Sequence, residues 1–151
     1  MKVILSVAAI ALAALAVTAC GANGSSGDGG GSGIGGNGSA AILNWEAGNG
    51  DLAASDLQNN AGPTAVSDAT EGAVTQFQGD AASIQADVAK MKADPPPEDT
   101  SGWDKAIASY SAAVSDLNSG NSSAAVSDLN AGSTSIGTFG STVGDYDLVS
   151  S

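Results

Sequence analysis

The chain has 151 residues, and its 16 acidic residues against four lysines give a formal net charge of −12, with no histidine. A surface this acidic repels nucleic acid and anionic headgroups, so we expect no nucleic-acid partner. Without histidine the chain lacks imidazole bases, and its serines stand in no recognised serine–lysine motif. The composition therefore does not indicate an enzyme.

The first 19 residues have the three-part layout of a signal peptide. Lys2 precedes an uncharged apolar run from Val3 to Ala16, and small residues follow. A membrane-spanning helix needs about 20 apolar residues, more than this run provides. We interpret residues 1–19 as an export signal that is removed from the mature protein.

The only cysteine, Cys20, follows this segment directly and ends the tetrapeptide Val17-Thr18-Ala19-Cys20. The tetrapeptide resembles the lipobox of bacterial lipoproteins, in which the cysteine receives a diacylglyceryl group. The resemblance implies that Cys20 is the lipidation site and that its lipid holds the protein on the extracytoplasmic face of the cell membrane. Two acyl chains suffice for stable anchoring. The alternative is an ordinary secretory signal in which the cysteine has no role.

Residues 20–39 consist mostly of glycine and serine after the cysteine. Such a composition has little apolar surface to bury and leaves the backbone free. We predict a flexible, disordered linker with a random-coil span of about 25 Å.

Residues 40–151 are rich in alanine, serine and aspartate, with large apolar residues at helical spacing. The first predicted helix begins at Ala40 and extends to about Ala61. Its apolar face comprises Ile42, Trp45 and Leu52. This region could end at either of two turn signals, Gly62-Pro63 or Glu71-Gly72, and the pattern favours neither.

Apolar residues separated alternately by three and four positions predict a second helix that ends near Ala93. They are Val74, Phe77, Ala81, Ile84, Val88 and Met91. Prolines at positions 95–97 remove N–H donors and force Asp94 out of the helical conformation. The next helix is therefore expected to begin near Gly102.

The third helix has the clearest apolar face, and Ser101 with Asp104 forms a capping-box pattern at its start. The face comprises Trp103, Ile107, Tyr110, Val114 and Leu117. The octapeptide SAAVSDLN occurs at 111–118 and again at 123–130. One continuous helix would rotate the second copy by about 120° from the first, so we predict a tight turn at Gly120 instead.

The fourth helix follows this turn, with Asn121 or Ser122 as its N-cap. Its apolar positions are Val126, Leu129, Ile136 and Val143. Four helices with short connections predict an all-α fold, a small antiparallel four-helix bundle. An early tryptophan, a proline-rich link and the Trp103…Tyr110 pair resemble small exported helical proteins of actinobacteria, a resemblance that implies the fold and no activity.

Acidic side chains off the apolar faces are expected to be solvated. They include Asp80, Asp87, Asp116 and Asp128. The densest group of carboxylates, around the prolines, comprises Asp94, Glu98, Asp99 and Asp104. Calcium prefers such oxygen ligands, but the group lacks the spacing of an EF-hand loop. We interpret it as a capped turn and predict no metal site and no cofactor.

Trp45, Trp103 and Tyr110 could stack on a ligand, but their places on apolar faces favour burial in the core. The sequence thus predicts a membrane-anchored cell-envelope lipoprotein with a non-enzymatic binding or structural module and an envelope protein as its partner. The alternative is a carrier or sensor of a small hydrophobic ligand or a divalent cation. A cavity lined by Trp45, Phe77 and Tyr110 would favour the carrier, whereas a solid core with an exposed apolar strip would favour the module.

Overall fold

The computed structural model describes residues 40–98, 100–144 and 148. The predicted signal peptide, the lipidation site Cys20, the linker 20–39 and Asp99 lie outside these residues. In chain order the helices are α1 (Ala40–Trp45), α2 (Asn49–Asp56), α3 (Gly62–Glu71), α4 (Phe77–Ala93), α5 (Ser101–Ser119) and α6 (Ser122–Val143), and a π-helical segment, Leu57–Ala61, joins α2 to α3. The described part of the chain contains no strand. It also contains no helix with the length and hydropathy needed to cross a bilayer.

The predicted all-α four-helix bundle is confirmed. The helix α2, the π-helical segment and α3 form one long member, which packs against α4 and α6. The remaining neighbours are α4 with α5 and α5 with α6, so the four members form a closed ring. Short connections at 72–76, 94–100 and 120–121 make successive members antiparallel.

The first turn of the bundle lies at Glu71-Gly72, one of the two predicted places. Gly72 has a left-handed conformation, with φ 73°, and ends α3. Gly62-Pro63 does not end the helix, because the π-helical segment precedes it and the Gly62 N–H bonds to the Leu57 carbonyl. A proline ring collides with the carbonyl four residues earlier in a regular helix. The wider π-helical turn accommodates Pro63 and lets the helix continue.

The prediction that Leu52 shares the buried face of Ile42 and Trp45 is wrong. Leu52 is 61% exposed, whereas Ile42 and Trp45 are buried. The predicted single helix is interrupted after Trp45, and Gly48 is extended, with φ −80° and ψ 168°. The helix restarts at Asn49 after this break. The helical spacing that would place Leu52 on the same face as Trp45 therefore does not apply.

The apolar face of α4 is confirmed except at its first position. Val74 is 62% exposed and lies in the turn that precedes the helix. The other predicted members, Phe77, Ala81, Ile84, Val88 and Met91, are buried. The left-handed Gly72 directs the chain into a turn, in which the Gln76 N–H bonds to the Ala73 carbonyl at 2.9 Å. Val74 is therefore on the outside of a turn and not in a helix.

The hairpin of α5 and α6 agrees closely with the prediction. Gly120 is left-handed, with φ 75°, and Asn121 is the N-cap of α6. Buried positions include Trp103, Tyr110, Leu117, Leu129, Ile136 and Val143, while Ile107, Val114 and Val126 are partly buried. The predicted capping box is wrong: the N-cap of α5 is Thr100, it makes no side-chain cap hydrogen bond, and Ser101 is the first helical residue.

Three aromatic rings close one end of the bundle. Trp45 meets Trp103 edge-on with ring centroids 5.0 Å apart, and Phe139 lies 5.8 Å from Trp45 and 5.3 Å from Trp103. We call this the aromatic end. The opposite end, where the residues around Val74 and Phe77 meet those around Leu117 and Gly120, is called the turn end. The predicted core role of both tryptophans is confirmed.

Candidate functional site

A groove of about 340 Å³ lies beside the π-helical segment, between the long first member of the bundle and helices α5 and α6. Its lining consists of Leu57, Gly62, Pro63, Val66, Ser67, Tyr110, Leu129, Asn130 and Ser133. We call it the π groove. Single π-helical turns within α-helices occur frequently at functional sites. The π groove is therefore the best candidate for a binding site in the described part of the chain.

Two hydrogen bonds between elements determine the geometry of the π groove. The Ser133 hydroxyl donates to Oε1 of Gln58 at 3.0 Å, and Gln58 itself is only 7% exposed. The Tyr110 hydroxyl donates to the Leu57 carbonyl at 3.4 Å. Burial raises the pKa of Tyr110, so this hydroxyl stays protonated throughout the physiological range. The groove thus combines apolar walls with neutral hydrogen-bonding groups.

A glycine on α6 allows the tyrosine ring to lie against the helix backbone. A Cβ at Gly132 would lie 2.7 Å from the nearest Tyr110 ring carbon, closer than real Cβ atoms approach. Glycine in a helix interior costs about 1 kcal/mol relative to alanine. At Gly132 that cost is offset by the close packing of Tyr110 between α6 and the π-helical segment.

The π groove offers apolar surface together with neutral hydrogen-bonding groups. Its lining residues are apolar or neutral, and they include hydroxyl and amide side chains but no ionised carboxylate or lysine. Nucleophilic catalysis requires a hydroxyl or thiol beside a base. The lining of this groove offers hydroxyls without such a base.

The carboxylates grouped around the prolines differ in their surroundings, as far as the structure describes them. Oδ2 of Asp94 accepts the Gly50 N–H at 2.9 Å, and the Asp94 carbonyl accepts the indole N–H of Trp45 at 3.2 Å. Asp94 therefore connects the first turn of α2 to the proline link. Glu98 and Asp104 are exposed, and Asp99 lies outside the described residues. Within the described ranges, no three histidine, cysteine, aspartate or glutamate side chains form a metal-binding group.

The expectation of a solvated acidic face is wrong for Asp87 and only partly right for Asp80, Asp116 and Asp128. Asp87 is 5% exposed and accepts a hydrogen bond from Nζ of Lys90 at 2.6 Å. The Lys90 ammonium, one helical turn further along α4, is thus a cationic donor to Oδ1 of Asp87. Asp80, Asp116 and Asp128 are half-buried where neighbouring helices meet.

The aromatic residues proposed as a cavity lining lie in different parts of the bundle. Trp45 packs at the aromatic end, Phe77 is buried at the turn end, and Tyr110 lies between them beside the π-helical segment. Their side chains contribute to the packed interior, as the prediction of core burial required.

The π-helical segment and the buried Gln58 were not anticipated from the sequence. One signal was present: Leu57, Ala65 and Ala69 continue a helical pattern across Pro63 and are all buried. A proline inside an uninterrupted helical pattern indicates a kink or a widened turn as well as a helix end. Comparisons with protein-family models, curated proteins and solved structures gave no match.

Proposed function

We propose that the chain is a lipid-anchored protein of the cell envelope, attached through Cys20 at the extracytoplasmic face of the membrane. Its helical bundle serves as a non-enzymatic binding or structural module. The lipid anchor is inferred from one observation, the tetrapeptide that ends in Cys20 directly after an apolar run. No other cysteine is available for a disulfide within the chain. The position of the thiol thus favours acylation over pairing.

The packed interior supports a module that binds at its surface. The largest buried side chains, such as Trp103, Tyr110 and Phe77, are fully buried in the core. The π groove is open to solvent and carries neutral donors and acceptors beside apolar walls. Such a surface suits contact with another envelope protein, because it needs no charge complementarity and offers both apolar area and hydrogen bonds.

A carrier of a hydrophobic molecule is the alternative, and the arrangement of the aromatic residues weighs against it. Trp45, Phe77 and Tyr110 are spread over the length of the bundle instead of surrounding one space. A carrier pocket usually encloses most of its ligand. The π groove is open to solvent, which favours a surface contact.

The anchor is tested by metabolic labelling with a fatty acid. Replacing Cys20 with Ser should abolish the label and leave an unprocessed precursor, because serine lacks the thiol that receives the diacylglyceryl group. Ser25→Ala, five positions further along the chain, is the matched control and should retain both label and processing. Undiminished labelling of the Cys20→Ser protein would rule out the lipoprotein interpretation.

The module is tested by site-specific photo-crosslinking in intact cells. A photoreactive side chain at Ser67, an exposed residue at the rim of the π groove, should give one discrete protein adduct. The same group at Ala82, an exposed residue of α4, is the control and should give none. Adducts of equal yield at both positions would contradict a specific surface, and a lipid adduct at Ser67 would favour the carrier.

A further inference from the structure

Three pairs of aspartates connect neighbouring helices. Asp68 of α3 lies within hydrogen-bonding reach of Asp80 of α4, and Asp116 of α5 lies within reach of Asp128 of α6. In the third pair, Asp56 at the end of α2 lies within reach of Asp87 of α4. We call these the carboxyl pairs. Two carboxylates in such proximity repel each other unless a proton lies between them.

The first two carboxyl pairs occupy the same position in two equivalent hairpins. Asp68 and Asp116 each stand four residues before a left-handed glycine, Gly72 and Gly120, and Asp80 and Asp128 each stand eight residues after it. In both turns the residue after the glycine donates its N–H to the aspartate carbonyl at 2.8 Å. The same turn geometry thus brings a carboxyl of each helix opposite a carboxyl of the next.

One carboxyl oxygen in these pairs lacks a donor. Oδ2 of Asp80 is buried and has no hydrogen-bond partner in the described part of the chain. A buried acceptor without a donor is unfavourable, because it has lost its water and gained no replacement. A proton shared with Asp68 would supply the missing hydrogen bond.

The charged groups that act on these pairs are few. Within the described ranges, Asp80 is influenced by Asp68, and Asp128 by Asp116. Asp87 is influenced by Lys90 and Asp56. The charge that acts on Asp80 and on Asp128 is thus that of the facing aspartate, while Lys90 partly neutralises the charge of Asp87.

Burial and the adjacent carboxyl both raise the pKa of Asp80 and of Asp128 above the ordinary value of 3.8. Burial also raises the pKa of Asp87, although the Lys90 ammonium opposes the shift. When a folded-state pKa is raised, the folded protein binds a proton more readily than the unfolded chain. The resulting stabilisation is fully present below the unfolded pKa and is lost as pH rises through the folded pKa.

We propose that the Asp68–Asp80 and Asp116–Asp128 pairs make the bundle proton-responsive: each pair takes up one proton on acidification and changes from a repulsive contact into a hydrogen bond between helices. The proton passes from solvent to one carboxylate, which then donates to the other. Both hairpins tighten as a result. This behaviour is independent of the lipid anchor and of any partner at the π groove.

Thermal unfolding of the full chain in non-ionic detergent tests the proposal. Between about pH 7.5 and about pH 4.5, a range above the ordinary aspartate pKa, we expect Tm to rise on the order of 5 °C. The double variant Asp80→Asn/Asp128→Asn should melt higher than the wild type at the upper pH and depend less on pH, because each amide donates permanently to the facing carboxylate. Asp104→Asn together with Glu71→Gln removes the same charge at two exposed positions and should retain the wild-type dependence.

Salt separates the carboxyl pairs from general repulsion across the acidic surface. At about 1 M salt the screening length falls to about 3 Å, so distant charges no longer interact, while adjacent, partly buried carboxyls still do. The rise in Tm on acidification should persist under these conditions. A Tm that is flat or falls on acidification, a dependence abolished by salt, or an equal loss of dependence in the control variant would each overturn the proposal.

Discussion

At the aromatic end, Trp45 donates its indole N–H to the carbonyl of Asp94, 49 positions away, and Trp103 donates to the Met91 carbonyl at 3.2 Å. At the turn end, the N–H groups of Gly72 and Gly120 bond to the carbonyls of Asp68 and Asp116, four residues earlier, and the residue after each glycine donates to the same carbonyl. The aromatic end thus depends on contacts between distant parts of the chain. The turn end depends on local backbone geometry.

This difference has a consequence for stability. Both tryptophans at the aromatic end are buried and donate to backbone carbonyls of other segments, so removing one leaves both a cavity and an unpaired acceptor. The left-handed glycines at the turn end, Gly72 and Gly120, affect mainly their own turns. Substitution of a tryptophan at the aromatic end should therefore cost more than substitution of one of these glycines.

The largest effect is expected for Trp103→Ala. Truncation of a buried aromatic side chain costs about 3 to 5 kcal/mol, and here the Met91 carbonyl also loses its donor. Thermal unfolding should show a clear drop in Tm. The exposed Val74 at the turn end is the matched comparison, and Val74→Ala should change the free energy of unfolding by less than about 0.5 kcal/mol.

Fluorescence provides an independent check on the same residue. In a Trp45→Phe background, emission from Trp103 should be blue-shifted and poorly quenched by iodide, because the ring is fully buried. Red, readily quenched emission together with a normal Tm for Trp103→Ala would mean that the aromatic end is open to solvent.

An intermediate effect is expected for Gly50→Ala. A Cβ at this position would collide with the Asp94 carbonyl oxygen, so α2 and the proline link would have to separate. Overpacking of this kind costs about 1 to 3 kcal/mol. Gly79→Ala in α4 is the control: its Cβ would meet no atom within 4 Å, and the change should stabilise the helix by about 0.5 to 1 kcal/mol. Equal effects of the two substitutions in chemical denaturation would refute the close approach at Gly50.

The smallest loss is expected for Gly120→Ala at the turn end. A Cβ at this position has open space, so the cost is the left-handed backbone conformation alone, about 1 to 2 kcal/mol. Asn118→Ala, an exposed change within the last turn of α5, should have almost no effect on denaturant unfolding. If Gly120→Ala cost more than Gly50→Ala, the contrast between the two ends would be reversed.

The parts of the fold that could be predicted are those governed by neighbouring residues. The apolar face of α5, the end of α4 before the prolines and the turn at Gly120 were all correctly predicted. Each depends on a local rule: helical periodicity, the missing N–H of proline or the conformational freedom of glycine. The predicted places of Leu52 and Val74 on apolar helix faces were wrong, because a break or a turn changes the direction of the chain next to each of them.

The candidate site was much less predictable than the helices. Nothing in the order of residues places Ser133 beside Gln58, because these side chains are 75 positions apart and meet only when α6 packs against the first member of the bundle. The burial of Asp87 has the same origin. A carboxylate on the polar side of its own helix becomes buried when a second helix covers it.

By itself the sequence determined the helical class, the end of α4 before the prolines, the apolar face of α5 and the left-handed turn at Gly120, since hydrogen bonds and steric contacts within a few residues decide these features. Only the tertiary structure decided the break after Trp45, the π-helical passage before Pro63 and the pairing of aspartates between helices. The physical reason is that burial and repulsion depend on which surfaces meet. Side chains on separate helices acquire their environment only when those helices pack together.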